Sequence, residues 1–536
     1  MPSKALLLLF CIQIFAAITS FCAAQSESCP SVVNASEILG KIERGEPVFY
    51  TDKIIEGDIS LADLDLDEIR NGRSEFSYPE MFSLGLSKNT KVVRSQISLK
   101  YCVVKGDLDF SNVLIQEPIS LLGSTMLERV DFNGSRFNQY AEFRAARFNR
   151  SAYFLWSKFN SSADFVWSQF NQSADFSVSR FNQYAYFRDS RFNKSADFRD
   201  SRFNKSADFS RSQFNQRADF SGSQFNQSAK FMGSQFNMSA YFQWAQFDQK
   251  AYFSMSRFNQ NADFSESRFN QPADFSGSQF NQRADFSESQ FNQSASFKGS
   301  RFDQNADFIG SQFLSDAFFG RSSLNFADFS QAKFSGQLFL EGSKIDYLNF
   351  TRTKFGKIFL RWESIGRLAY DETAYLLLMG NFKSLNFLED ANECYYDYRN
   401  DRRDTLKWDK KAVDDFLMLL YGYGVKPNRP VLWSLFFMSL FALLFWWWQG
   451  IMPVREGEPE SEANRFTPLE AIAFSAVIFL SGGKLVFDPP EYRIAPGKSW
   501  GYVQICKALF VGERLMGMML LLMFGIAVTK TIILGS

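Results

Sequence analysis

From Phe132 to Phe313 the chain carries a phenylalanine at alternating intervals of five and six residues: Phe132, Phe137, Phe143, Phe148, Phe154, and so on to Phe302, Phe308 and Phe313. Thirty-four phenylalanines keep this spacing without exception, giving an 11-residue unit with two large apolar positions. A short fixed period held over such a length predicts a solenoid of stacked units, not a pocketed domain. Two residues before each Phe stands a small residue, alternately Ala and Ser with few exceptions, as in Ala196-Asp197-Phe198 and Ser201-Arg202-Phe203. Extended backbone sends alternate side chains to one face, so the Phe and the small residue point inward together. The residue between them, usually Asp, Arg or Gln, faces water. A helix is excluded, because these spacings smear around a 3.6-residue turn and Gly, Asn and Ser are too frequent. Phe198, Phe203, Phe209, Phe214 and Phe220 are representative core positions. The ladder continues back through Met126, Leu121, Ile115, Phe110, Val104 and Leu99, and forward, mostly in steps of five, to Leu360. The rod is therefore expected over 99–362, with roughly 12 coils at a strand spacing of about 4.8 Å.

The flanking patterns differ. Residues 25–98 read as an N-terminal cap with a helix over Ala35–Arg44, which starts at Asn34 or Ser36 and stops at Gly45. Residues 363–430 read as a helical neck. Its apolar stripes are Tyr375, Leu376, Met379, Phe382 and Leu385, then Ala391, Cys394, Tyr395 and Tyr398. A charged helix over Asn400–Asp415 and a further apolar piece, Leu417–Tyr423, complete it. Residues 431–452 hold no charge, and Trp446, Trp447 and Trp448 cluster at one end, as expected of a membrane span. A second span is expected at 508–534, with Glu513 and Arg514 inside it near one end. Between them Leu469–Leu480 is apolar but too short to cross, so 466–485 is expected to be a re-entrant segment.

The small-x-large-x-x pattern resembles the pentapeptide-repeat family. That resemblance implies a right-handed four-sided β-helix in which each coil takes two of the repeat units, because every second side carries one extra residue. The extra residue follows alternate phenylalanines and is nearly always Asn (Asn138, Asn149, Asn160, Asn171), with Asp248 and Asp303 as variants. Asn and Asp tolerate left-handed backbone, which places them at the wider corner. A flat two-sided solenoid with a single repeat unit per coil is the rival geometry.

Span, short apolar half-helix, Gly-bearing turn and span resembles the two-helix pore module of potassium-channel-like proteins. The matching residues are Phe474-Ser475-Ala476-Val477 in the pore-helix position and Val511-Gly512-Glu513, with Gly517, in the last helix. Leu420-Tyr421-Gly422-Tyr423-Gly424-Val425-Lys426-Pro427 resembles the approach to the first span in pentapeptide-repeat membrane proteins that carry this module. The filter departs from the pattern. Where potassium selectivity needs Thr-x-x-Thr-x-Gly-Tyr/Phe-Gly, this chain has Ile478-Phe479-Leu480-Ser481-Gly482-Gly483-Lys484-Leu485. The candidate pore-like residues are therefore Ser481, Gly482, Gly483, Lys484 and Glu513, with Glu513 the expected partner of Lys484. Both a working pore and a retired one serving as an anchor fit this segment.

Composition narrows the chemistry. Histidine is absent, which removes His bases, triads and His metal ligands. The six cysteines lack zinc or redox spacing, and neither a phosphate-binding GxxxxGK[ST] nor a GxSxG motif occurs. No catalytic constellation, cofactor site or metal site is expected. Cys29 and Cys102 either pair outside the cell or remain two buried thiols. Residues 131–313 hold 21 Lys and Arg against 17 Asp and Glu, which disfavours the acidic DNA imitation known in some pentapeptide proteins, and no nucleic-acid partner is expected. Residues 1–24 read as a secretion signal, with Lys4, the apolar run Ala5–Phe21 and Cys22-Ala23-Ala24; an uncleaved anchor is the alternative. The expected protein is a multi-span surface protein of the cell membrane with an extracytoplasmic repeat rod. Membrane lipid and further copies of the chain, joined through the spans, are its expected partners. The expected role is a sensor or scaffold coupled to a channel-like oligomer; the alternative is a structural or adhesive rod with a non-conducting pore remnant.

Overall fold

The computed structural model describes residues 31–68, 90–454, 466–481, 490–495 and 499–530. The expected signal at 1–24, together with Cys11, Cys22 and Cys29, lies outside the described residues. The chain divides into two compact units, one ending at Leu360 with Ser364–Leu368 added, the other comprising Arg361–Glu363 and the residues from Ala369 on.

The first unit is a parallel β-solenoid of about 14 turns. Each coil of the regular part contributes four short strands, such as Ala196–Asp197, Arg202–Phe203, Ala207–Asp208 and Gln213–Phe214. Ala196 pairs in register with Ala218, and Phe203 with Phe225, so one coil takes two repeat units and the single-unit coil is excluded. One sheet runs through 14 parallel strands from Val48–Thr51 to Ile358–Phe359, one per turn, which exceeds the 12 coils expected from the ladder. One of these strands, Val48–Thr51, lies ahead of Leu99, and the other thirteen run from Ile97–Lys100 onward. Val48–Thr51 pairs with Ile97–Lys100, Ile54–Glu56 with Val103–Val104, and Ile59–Ser60 with Leu108–Asp109. The N-terminal segment thus supplies strands as well as a helix, α1 (Ala35–Glu43), whose N-cap Asn34 accepts from the Ser36 amide. Past Phe302 a register shift occurs. The coil then loses one residue, with Gln312 opposite Lys333, and later a second, with Leu338 opposite Ile358, as each wide corner gives up its extra residue.

The interior explains the strict spacing. Phe198 stacks on Phe220 at 4.8 Å with an interplanar angle of 1°, and Phe220 on Phe242 at 4.9 Å. Rings from opposite sides meet edge-on, Phe198 against Phe209 at 5.2 Å and 87°. Every ladder phenylalanine from Phe132 to Phe313 is at most 1 % exposed. Parallel columns at the strand spacing, meeting other columns edge to face, satisfy the ring quadrupole in both directions. The small partner positions are filled by buried Ala and by buried Ser. Ser201 Oγ donates to the Phe176 carbonyl and Ser223 Oγ to the Phe198 carbonyl, each at 2.7 Å, so these buried hydroxyls are satisfied.

The asparagines occupy the six-residue corners, but not for the expected reason. None of the ladder asparagines has a positive φ. Left-handed backbone falls instead in the five-residue corners, two residues after the Ala-side Phe, at Asp200, Arg211 and Gly222 among others. The asparagine side chains form two ladders along the solenoid. Asn215 donates to Asn193 at 2.8 Å and accepts from Asn237 at 2.7 Å, and the other ladder runs through Asn160, Asn182, Asn204 and Asn226. An amide has both donor and acceptor, so it propagates such a chain, whereas Asp248 only accepts, from Gln246 and Asn270.

The second unit is helical: α2 (Glu372–Ser384), α3 (Leu388–Arg403), α4 (Trp408–Tyr421), α5 (Asn428–Trp448), α6 (Pro468–Leu480) and α7 (Trp500–Val528). The charged stretch expected as one helix over Asn400–Asp415 is broken between Arg403 and Trp408, and Leu376 on the expected apolar stripe is 54 % exposed. Leu378 takes its place in the buried face with Tyr375, Met379 and Phe382.

Phe220→Ala is expected to cost about 3–5 kcal/mol, with the loss confined to neighbouring coils because each coil contacts only its neighbours. Asn215→Ala, which removes two ladder hydrogen bonds, is expected to cost about 1–3 kcal/mol. Hydrogen exchange resolved by coil reads both; uniform loss of protection along the solenoid would contradict the local character.

Candidate functional site in the apolar helices

Helix α6 begins with Pro468 at its first position and a capping box, in which the Thr467 hydroxyl accepts from the Glu470 amide and Glu470 reaches back to the Thr467 amide. It packs with α5 and α7 around Phe445, Phe474, Ile478, Cys506 and Phe510, and Phe445 meets Phe474 edge-on at 5.6 Å. A second cluster joins Phe479, Leu420 and Leu520. The crossing of α6 and α7 depends on Gly517: a Cβ there would lie 2.1 Å from the Phe479 carbonyl oxygen. Gly450 similarly admits Cys506, whose Sγ would be 2.7 Å from an added Cβ. Both glycines serve close approach, not a left-handed turn.

Glu513 lies near the middle of α7, not near its end, because the helix already begins at Trp500. The side chain is wholly buried. One carboxylate oxygen is hydrogen-bonded to Ser475 Oγ, which also sits 2.8 Å from the Met438 carbonyl. The other oxygen has no hydrogen-bond partner among the described residues. Three helices thus converge on one carboxyl: Met438 from α5, Ser475 from α6, Glu513 from α7. Ser481 is also buried, and its hydroxyl donates back to the Ile478 carbonyl at 2.7 Å. Gly482, Gly483 and Lys484 lie outside the described residues, and so does the expected Lys484–Glu513 pair. Ser475 stood in the pore-helix match but not among the pore-like site residues; its signal was the single hydroxyl amid the apolar positions of α6.

The neck residues carry a second polar cluster. Leu420–Pro427 folds as a sharp turn in which Gly422, Tyr423 and Gly424 all take left-handed backbone. This turn buries Tyr423, whose hydroxyl donates to Asp414 at 2.6 Å while the ring lies under Arg399 at 4.5 Å. Burial first, and then the Asp414 carboxylate, push the Tyr423 phenol above its ordinary range, which keeps it a donor. Asp414 also pairs with Arg399, and Lys426 with Glu393 at 2.5 Å. A cavity of about 170 Å³ opens nearby, lined in part by Lys383, Tyr395 and Lys530.

In the solenoid, Phe198, Phe203, Phe209, Phe214 and Phe220 are buried members of the stacked columns and offer no surface chemistry. Cys102 is a buried free thiol, and burial pushes it above the usual thiol range.

Two substitutions separate packing from chemistry in the helices. Gly517→Leu is expected to drive α6 off α7 and lower the melting temperature in detergent by several degrees, since the contact is with backbone. Glu513→Gln is expected to leave thermal stability unchanged or improved, because a lone buried carboxyl does not gain from its site. A marked loss with Glu513→Gln would mean that the carboxyl itself holds the helices together.

A comparison with curated proteins found no match. Among protein families, the one described as pentapeptide repeats (9 copies) matches residues 187–235, 231–279 and 275–323, all within the solenoid. The helices α5 and α7 are long and apolar enough to cross a membrane. Residues 187–323 of the β-solenoid thus carry pentapeptide repeats, and the solenoid is followed in sequence by a helical region with two such helices.

Proposed function

We propose that the protein is anchored in the cell membrane by α5 and α7, with its solenoid outside, and that the three apolar helices assemble as a degenerate channel-like oligomer. The observation that carries the anchoring is exposure. In the most apolar windows of α5 and α7 only 11 % and 22 % of the residues are buried, which suits lipid and does not suit the core of a soluble domain. Leu432, Leu435, Phe436, Leu515 and Leu522 are all more than half exposed. Helix α6 has 13 residues, so at 1.5 Å each it reaches about 20 Å of a ~30 Å apolar core and is read as re-entrant. The solenoid is read as the four-sided right-handed helix of pentapeptide repeats.

Orientation follows from the signal-like start, which sends the following chain out. Arg399, Arg402, Arg403, Lys407, Lys410 and Lys411 precede the first span and argue for the opposite placement, but long domains cross largely regardless of charge. Expected in an assay of intact cells is removal of the solenoid by added protease; full protection would place it inside.

In function the protein is then a sensor or scaffold whose rod is coupled to the membrane module. One chain supplies too few walls for a pore, so an oligomer is required. Lys484 stands where potassium-channel-like proteins carry the aromatic residue of the filter, which opposes potassium passage. Reconstituted protein is expected to be oligomeric and, where it conducts, not to favour potassium over sodium. A monomer, or strong potassium selectivity, would overturn the pore reading. Absence of conductance would favour the second reading, an adhesive or structural rod with a pore remnant, which the filter substitutions also support.

A further inference from the structure

The cavity of about 170 Å³ in the helical unit stands where the neck meets the ends of both long apolar helices. One wall is the end of α2, and another is the first turns of α3. The remainder comes from Val425, three residues ahead of α5, and Lys530, two residues past α7. Its floor is apolar: Met379, Ala391 and Val425 are buried, and Leu388 is half-buried. Its polar lining is Lys383, Asn392, Tyr395 and Lys530. Each of these four can donate a hydrogen bond, and none of the described residues that line the cavity is acidic.

Lys530 is held in place by its stem. A Cβ added at Gly424, which has left-handed backbone, would lie 3.2 Å from Lys530 Cδ. The ammonium sits 4.9 Å from the centre of the Tyr395 ring and donates to the Tyr423 carbonyl at 3.4 Å. That long bond uses one of its three hydrogens. Lys383, in the last turn of α2, is exposed. Neither lysine forms an ion pair among the described residues. The other neck cations behave differently. Lys426 pairs with Glu393 at 2.5 Å, Lys411 with Asp404 at 3.1 Å, and Arg399 with Asp414. Glu393 on α3 is therefore engaged outside the cavity, and Glu389, in the first turn of the same helix, is exposed and does not line it.

We propose that this cavity seats the phosphate headgroup of an anionic membrane phospholipid. Lys383 and Lys530 hold the phosphate, Asn392 donates to a further oxygen, and the glycerol region rests on Met379, Leu388 and Val425. A lysine binds phosphate as a point charge, and cations at the membrane surface attract anionic lipid. Lys530 follows the end of one span and Val425 precedes the other, which is headgroup level for both. Leu432 near the start of α5 and Ile526 near the end of α7 are exposed apolar residues suited to the acyl chains. A free phosphate would meet the same lysines but would leave the apolar floor uncovered. The inference rests on the anchoring by α5 and α7 proposed above, and not on the orientation or the pore.

The test is native mass spectrometry of the purified full chain in detergent, titrated separately with dioctanoyl phosphatidic acid, dioctanoylglycerol and inorganic phosphate. Phosphatidic acid is expected to bind, and the other two much more weakly. Lys383 is exposed, so Lys383→Gln removes a charge without disturbing packing; it is expected to weaken phosphatidic acid binding about fivefold. Lys383→Gln with Lys530→Gln is expected to weaken it about 25-fold. Lys407→Gln with Lys410→Gln makes the same charge change outside the cavity and is expected to bind as the parent does. No binding of phosphatidic acid, unchanged binding by both cavity variants, or equal loss in the control would overturn the site. Equal binding of dioctanoylglycerol would overturn the role of the lysines, and equal binding of inorganic phosphate would overturn the lipid as occupant. Anchoring is read separately by alkaline carbonate extraction of membranes: release of the chain would overturn the anchoring and leave the binding results readable on their own.

Discussion

The solenoid depends on one constraint: phenylalanine rings recur once per coil, at the distance that separates neighbouring parallel strands. The backbone sets 4.8 Å between Phe198 and Phe220, and flat rings fill that distance when they lie parallel. A Leu or Ile would not tile the same space, and a single substitution would leave a gap walled by rings above and below. This accounts for the identity of the residue at every ladder position as well as its polarity. Where Leu324, Leu340 and Ile345 replace Phe toward the end of the ladder, the coil also shortens, so composition of the interior and length of the coil change together.

The polar parts of the repeat follow from this core. Inward serines need acceptors, and Phe carbonyls provide them, from the coil before for Ser201 and Ser223 and from the same coil for Ser168 and Ser190. The extra residue at each wide corner must present a side chain that bonds to its own kind at the same spacing. Asparagine does so with one donor and one acceptor along the axis, and Asp248 interrupts the relay because a carboxylate cannot donate. In such a one-dimensional structure each device is repeated because each coil must satisfy its neighbours alone.

The inward pair and the solenoid were legible in the spacing of Phe132 to Phe313, and the coil of two repeat units in the resemblance to pentapeptide repeats. The corners were not, because the tolerance of Asn for left-handed backbone suggested a local role where a cross-coil one prevails. Left-handed φ fell instead on residues as unsuited to it as Val178 and Trp156, held there by the ladders on either side. The turns ahead of Leu99 were hidden as well, since no short period links Val48–Thr51 to its partner strand Ile97–Lys100. In the helices Ser475 stood in the pore-helix pattern and Glu513 among the pore-like residues, but neither was joined to the other or to Met438, because a hydroxyl in a half-helix gains meaning only from what faces it.

Charge teaches the same lesson at larger scale. A count of 21 basic against 17 acidic residues over 131–313 reads as neutrality. The fold distributes those residues by repeat position, and repeat position is also position around the coil. Aspartates collect along Asp175, Asp197 and Asp219, while Arg136, Lys158, Arg180 and Arg202 collect elsewhere. Within a Debye length of about 8 Å, a partner lying along the rod senses the column beneath it and not the sum over the domain. A solenoid therefore turns a sequence preference at one position of the repeat unit into a continuous line of charge. Glu513 is the opposite case, a single ionisable group fixed by three helices with nothing repeated around it. The rod repeats one contact along its length, whereas the helical unit holds a single carboxyl that no repeat reproduces.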